Sequence, residues 1–380
     1  MRAYVFTDKA LERYAGQFVW LAIDTEKGSN RGFLIKYPIH VWPTLLVVNP
    51  KTETVLLRYA GGATVPQLSK LLDESKKTYR AKTLSPADSA LAMGDKLSNE
   101  EKYGEAAKAY EDAIGKATKN WPPLGRAGEA AIFSLMMARE NDRCAALAFD
   151  LYPRVRGTVS GANVVSGGLS CATDMKEDAA KRAEYIASLE KGTAEALADK
   201  SIPLSGDDRS GLYDSLVSAR ETAKDDAGAA KLRDEWIAFL EGEAARAKTA
   251  EQRAVYDPHR LSLYITLKTP EKAIPMLKQS EKDFPGDYNP PSRLALAYKA
   301  MGRFDDAIAA SDRALAKAYG PRKITILRAR YDIYTAKGDK EAARKTLEET
   351  VRYAKSLPRE QVSKAMIDSL EKKLKTEGQS

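Results

Sequence analysis

The chain has 380 residues, 43% of them hydrophobic, a mean hydropathy of −0.45 and a formal net charge of +8. That length and apolar content suffice for two or three globular units, and no run approaches the ~20 apolar residues that a membrane-spanning helix needs. Thirteen of the 61 Lys and Arg and seven of the 53 Asp and Glu fall within residues 1–82, which leaves a nearly neutral remainder of 48 against 46. No basic helical stripe with interleaved aromatics is present, so a nucleic-acid reader is excluded. With two histidines, His40 and His259, and two cysteines, a His-rich metal site is excluded and no cofactor is expected. Met1 to Ala15 mixes charged and apolar residues at helical spacing and lacks the basic stretch and apolar run of an export signal.

The first predicted element is a strand at Phe18–Ile23, where six apolar residues without alternation read as a strand buried on both faces. It ends at Asp24 and Thr25, and Gly28 to Tyr37 reads as a short helix or loop. Thr44 to Val48 is a second buried strand, Asn49-Pro50-Lys51-Thr52 a turn, and Val55 to Tyr59 a third strand. An apolar helix follows around Leu68, Leu71 and Leu72.

Met1, Phe6, Asp8, Phe18-Val19, Asp24, Tyr37, Trp42-Pro43-Thr44 leading into Leu45–Val48, and Gly61-Gly62 together make this region resemble a thioredoxin-type domain. The resemblance implies a Cys-x-x-Cys pair just upstream of Met1, which takes the place of the family's helical methionine. It also implies a central strand missing between Phe18–Ile23 and Thr44–Val48, and a cis-proline loop at Trp42, Pro43 and Thr44. Trp42 is bulkier than the residue usual there. The expected unit is therefore residues 1–82, a thioredoxin-like domain lacking its first strand and its cysteine pair.

Lys76 to Thr83 reads as a polar basic connector, after which the chain becomes Ala-rich and helical. Met93-Gly94, Leu97, Tyr103, Ala106, Tyr110 and Ala113-Ile114 are similar to the tetratricopeptide pattern, giving one helical pair over 85–120. Residues 121–253 form degenerate helical repeats, including a pair around Leu212–Leu216 and Trp236–Leu240, interrupted by a Gly/Ser loop at Ser160–Gly168. Cys144 and Cys171 bracket that loop and are expected to form a disulfide, which implies an oxidising compartment, periplasmic or secreted. The loop lacks the strand, helix and Lys or Ser/Thr spacing of a phosphate cradle.

Ala273 and Ala307 stand 34 positions apart, the tetratricopeptide period, and Tyr334, Gly338 and Ala343 each follow Tyr298, Gly302 and Ala307 by 36. Three tandem repeats are expected over 254–356, capped by a final helix within 357–380 that carries Val362, Ala365, Met366 and Leu370. The expected fold class is thus multidomain, α/β plus all-α, a partial thioredoxin-like sheet domain followed by a tetratricopeptide α-solenoid. In such arrays the first helix of each pair lines the concave face, which puts Asn289, Ser292, Lys299, Arg328 and Asp332 in a partner groove. The expected function is a protein- or peptide-binding scaffold with no complete active site and no bound metal. The alternative is a fragment of a thiol-disulfide oxidoreductase whose cysteines lie upstream of Met1.

Overall fold

The computed structural model describes residues 1–377. In chain order its elements are α1 (Arg31–Lys36), the strands β1 (Thr44–Val48) and β2 (Val55–Ala60), α2 (Val65–Arg80), α3 (Pro86–Asn99), α4 (Tyr103–Lys116), α5 (Leu124–Met137), α6 (Asn141–Val155), α7 (Val159–Thr173), α8 (Arg182–Ala198), α9 (Gly206–Thr222) and α10 (Asp226–Arg246). Then come α11 (Ala250–Ala254), α12 (Asp257–Thr266), α13 (Ala273–Asp283), α14 (Asn289–Ala300), α15 (Phe304–Leu315), α16 (Gly320–Lys337), α17 (Lys340–Ser356) and α18 (Lys364–Glu377). Two compact units result, one from Met1–Phe18 with Ile39–Phe239, the other from Val19–Pro38 with the chain from Leu240 onward.

In the first unit β1 and β2 pair antiparallel, Thr44 opposite Ala60 and Val47 opposite Leu57, with an irregularity at Val47/Val48. Thr64 and Gln67 cap α2 reciprocally, and Leu68, Leu71 and Leu72 then pack with Val5, Leu11, Tyr14, Leu57 and Tyr59. The Trp42–Pro43 peptide bond is cis.

The α/β part of the expected fold class is corrected by this arrangement. Among the described residues the only sheet is the two-stranded hairpin, so a thioredoxin-like sheet does not form. Phe18–Ile23 is irregular, and Val19 and Leu21 are 88% and 76% exposed. A strand exists only where a neighbour satisfies its backbone groups, and β1 pairs with β2 alone. The expected connector at Lys76–Thr83 is also corrected, because α2 continues to Arg80 and the joint is Ala81 to Ser85.

The remainder of this unit is helices packed in antiparallel succession around one core that runs from Ala87 to Ala219. The expected Gly/Ser loop is helix α7, and the link between α6 and α7 is only Arg156 to Thr158. Its glycines serve contact between helices: a Cβ at Gly168 would fall 2.1 Å from the Ala148 Cβ. Cys144 and Cys171 are disulfide-bonded, their Cα atoms 5.9 Å apart. The bond therefore staples α6 to α7 and does not close a loop.

A charged cluster sits inside the same unit. Arg126 on α5 donates from Nη1 to both oxygens of Asp95 on α3, at 3.1 and 2.9 Å, and from Nε to Glu74 at 3.2 Å. The Tyr110 hydroxyl donates to Asp95 Oδ1 at 2.9 Å. Burial pushes the Asp95 and Glu74 carboxyls up, opposed in both by the Arg126 guanidinium. The pair is stable because each charge has several partners.

The second unit stacks the pairs α12/α13, α14/α15 and α16/α17, with α18 packed on α17. Ala273, at the start of α13, and Ala307 and Ala343, each fourth in its helix, are buried, which lets each second helix cross its neighbour closely. Arg313 on α15 forms a two-pronged ion pair with Glu281 on α13, at 2.7 and 3.0 Å, between successive pairs. That hydrogen bond holds the Glu281 carboxyl below its usual range. Asp24 and Glu26, ahead of α1, meet the N-terminal ends of α14 and α16.

Three outcomes test this packing. Gly168→Ala forces a methyl into the Ala148 contact and should lower stability by about 1–3 kcal/mol in urea unfolding, as overpacking does. Asp95→Ala leaves Arg126 without its main partner and should cost about 3–5 kcal/mol by the same measurement. Thiol titration of the unreduced, denatured protein should detect no free cysteine; two titratable thiols would contradict the α6–α7 staple.

Candidate functional site

A cleft opens between α16 and α18. Its wall is α16, whose period of 3.6 puts Arg328, Tyr331 and Asp332 on one side of the helix. Leu347 of α17 forms its floor, and Met366, Ser369, Leu370 and Lys373 of α18 close the far side. The cavity volume is about 290 Å³.

The far wall is there because α18 is amphipathic. Leu370 and Val362 are buried against Ile324, Tyr331, Leu347, Val351 and Ala354, and the Lys355–Glu371 ion pair ties α18 to α17. On the cleft side the Lys373 ammonium lies 3.9 Å from the centroid of the Tyr331 ring, a cation–π contact. The Tyr331 hydroxyl donates to Glu377. Tyr331 is thereby held from both ends and its ring is buried, whereas Arg328 and Asp332 stay exposed.

The cleft thus combines a narrow apolar base of Leu347, Leu370 and Met366 with a rim carrying two cations and one carboxylate. Such a surface can seat one apolar side chain of an extended peptide while the rim pairs with charges of both signs beside it. It holds no nucleophile paired with a base. Among the described residues, no group of three or more His, Cys, Asp or Glu side chains is placed to bind a metal ion.

Of the five residues expected in the groove, Arg328 and Asp332 meet in the cleft. Asn289, Ser292 and Lys299 lie on α14 and do not line it. Asn289 turns its amide back onto Asp287 Oδ1 at 2.8 Å, at the start of its helix, and Ser292 and Lys299 are half-buried. In the other unit, Trp42 is 60% exposed, and Thr44 opens β1 with its hydroxyl donating to the Val41 carbonyl at 2.6 Å.

Sequence reasoning missed Tyr331, Met366, Ser369 and Lys373. The repeat period locates α16, but the register at which a capping helix docks has no periodic signature. Only the apolar stripe Val362, Met366, Leu370 hinted at the contact.

No family model matches the chain, and no curated protein matches it. Three solved structures illustrate what the chain is similar to. A tetratricopeptide repeat protein from Parabacteroides merdae is 12% identical, with TM-score 0.47, over 76% of this chain and 99% of that one. The TPR2AB domain of yeast Sti1, solved as a complex with pHSP90, is 17% identical, with TM-score 0.28, over 76% of this chain and 98% of that one. A chain of the APC/C hetero-tetramer Cut9–Hcn1 is 16% identical, with TM-score 0.26, over 80% of this chain and 59% of that one. The chain's own C-terminal helices follow one another as pairs, with spacings of 34 residues from Ala273 to Ala307 and 36 from Ala307 to Ala343.

Proposed function

We propose that this chain is a protein-binding scaffold that holds an extended, polar segment of a partner polypeptide along α14 and α16 and in the cleft under α18. The cleft between α16 and α18 carries the reading: about 290 Å³ of space with an apolar base and a mixed-charge rim. An extended peptide places alternate side chains toward the surface that receives it. One of them can fill the apolar base while its neighbours meet Arg328, Asp332 and Lys373. Asn289, Ser292 and Lys299 are assigned to the continuation of the same segment along α14, and no self-contained catalysis is assigned to the chain.

The bonded cysteines support a working place in an oxidising compartment, periplasmic or secreted, because such bonds persist where thiols are not kept reduced. A second reading retains the thioredoxin resemblance. It is favoured by the order of Trp42-Pro43-Thr44, the β1–β2 hairpin and α2, which follows the expected second half of that fold. The cysteines of this chain do not serve it, since both are buried and bonded to each other. Disulfide-reductase activity measured on the native product purified from its source would support that reading, and inactivity would remove it.

For the scaffold reading, a photo-crosslinker placed at Ser369 should trap one polypeptide from an extract of the source cells. The double substitution Lys299→Glu and Arg328→Glu should reduce capture about tenfold or more, the equivalent of losing charge-assisted hydrogen bonds, with the melting temperature unchanged. Unaltered capture would overturn the assignment of these residues.

A further inference from the structure

Within the second unit, the turn that starts at Asp24 is held in a polar cradle. Tyr288 precedes α14, Tyr319 and Gly320 open α16, Arg322 lies in its first turn, and Gln361 sits between α17 and α18. The Tyr319 hydroxyl donates to Asp24 Oδ2 at 2.7 Å. The Tyr288 hydroxyl donates to Glu26 Oε2 at 2.8 Å, and Arg322 Nε to Glu26 Oε1 at 2.9 Å. Gln361 Nε2 donates to the carbonyls of Thr25 and Glu26 at 3.1 and 2.9 Å. Two carboxylates one residue apart, and the backbone between them, are all read.

The cradle is shaped for a backbone to pass. Gly320 has φ of +54°, and a Cβ there would fall 2.3 Å from the Glu26 carbonyl oxygen. Any side chain at 320 would expel the turn. The turn also organises itself, because Asp24 Oδ1 accepts from the Glu26 N–H at 2.9 Å and the Asn30 amide donates to the Asp24 carbonyl at 2.7 Å.

The clasp is nonetheless weak in its physical type. None of residues 19–30 is fully buried, and the Arg322 side chain is 50% exposed beside a Glu26 side chain that is 19% exposed. Exposed ion pairs contribute little because water competes for both partners, and segments with few buried apolar contacts open first.

We propose that the cradle of Tyr288, Tyr319, Gly320, Arg322 and Gln361 is a binding site for acidic peptide turns of the form carboxylate-x-carboxylate. The chain's own Asp24-Thr25-Glu26 occupies it in cis, and a partner's acidic segment enters by displacing that turn. The inference rests on the reading that this array binds polypeptide segments, and adds to it the charge of the partner and a built-in competitor. The Tyr288 and Tyr319 hydroxyls and Arg322 donate to the carboxylate oxygens, and a basic segment would set its cation against the Arg322 guanidinium.

The test uses the full chain and a fluorescein-labelled peptide copying Ile23 to Arg31, read by anisotropy. The double variant Asp24→Ala, Glu26→Ala, which frees the cradle, should bind the peptide at least about tenfold more tightly than the native chain. Adding Arg322→Ala should reverse that gain, whereas adding Arg328→Glu, in the α16–α18 cleft, should leave it intact. A peptide with both carboxylates replaced by alanine should not bind. Equal affinity for native and freed chains, or a gain untouched by Arg322→Ala, overturns the proposal. Should the freed variant fail to fold, amide exchange on the native chain decides: excess peptide should speed exchange across residues 24–31, and unchanged exchange overturns the proposal. Loss of partner capture on Lys299→Glu, Arg328→Glu with no peptide binding here would leave the scaffold reading standing and remove only the cradle.

Discussion

The close crossing of paired helices is the constraint on which the rest of this structure depends. A helix cannot bury its apolar stripe without a second helix against it, and the interior is as dense as an organic crystal. Close crossing therefore requires small side chains where backbones meet and large ones beside them. A Cβ on Gly94 would fall 2.5 Å from the Tyr110 ring, and Gly168 meets Ala148 in the same manner. Ala273, Ala307 and Ala343 repeat the device in the C-terminal pairs. The disulfide between α6 and α7 reinforces one such crossing.

Charge is used in two physically distinct ways. Around Arg126 the carboxylates of Asp95 and Glu74 and the Tyr110 hydroxyl converge in a site sealed from water, where a missing partner would strand a charge. Around Asp24 and Glu26 the contacts are as short, but the Arg322 side chain stays 50% exposed. The first arrangement fixes the relation of α3, α4 and α5. The second holds a turn that solvent can replace.

The cleft under α18 follows from how that helix packs on the pair before it. Each helix pair leaves an apolar face that needs a cover. Leu370 and Val362 provide it against Tyr331, Leu347 and Val351. α18 covers α17 while leaving space beside α16, and Lys373 over the Tyr331 ring marks the edge of that space.

Much of the helical architecture was legible in the sequence, because the packing of successive helix pairs is local. The spacing of Ala273, Ala307 and Ala343 reports a contact that each repeat makes with its immediate neighbours, and the β1–β2 hairpin was written in Thr44–Val48, its turn and Val55–Tyr59. The pairing of Cys144 with Cys171 could be read by elimination, but its setting could not. Gly161, Gly167 and Gly168 look like a loop by propensity, and they are helical because α7 must pass close to its neighbours. Phe18–Ile23 likewise carries every local mark of a strand and is not one, since a strand is a relation between two segments and not a property of one. The cradle around Glu26 joins residues about 262 to 336 positions apart. No period or propensity connects such distant residues, so only the tertiary structure could bring Tyr288, Tyr319, Arg322 and Gln361 together on one acidic turn.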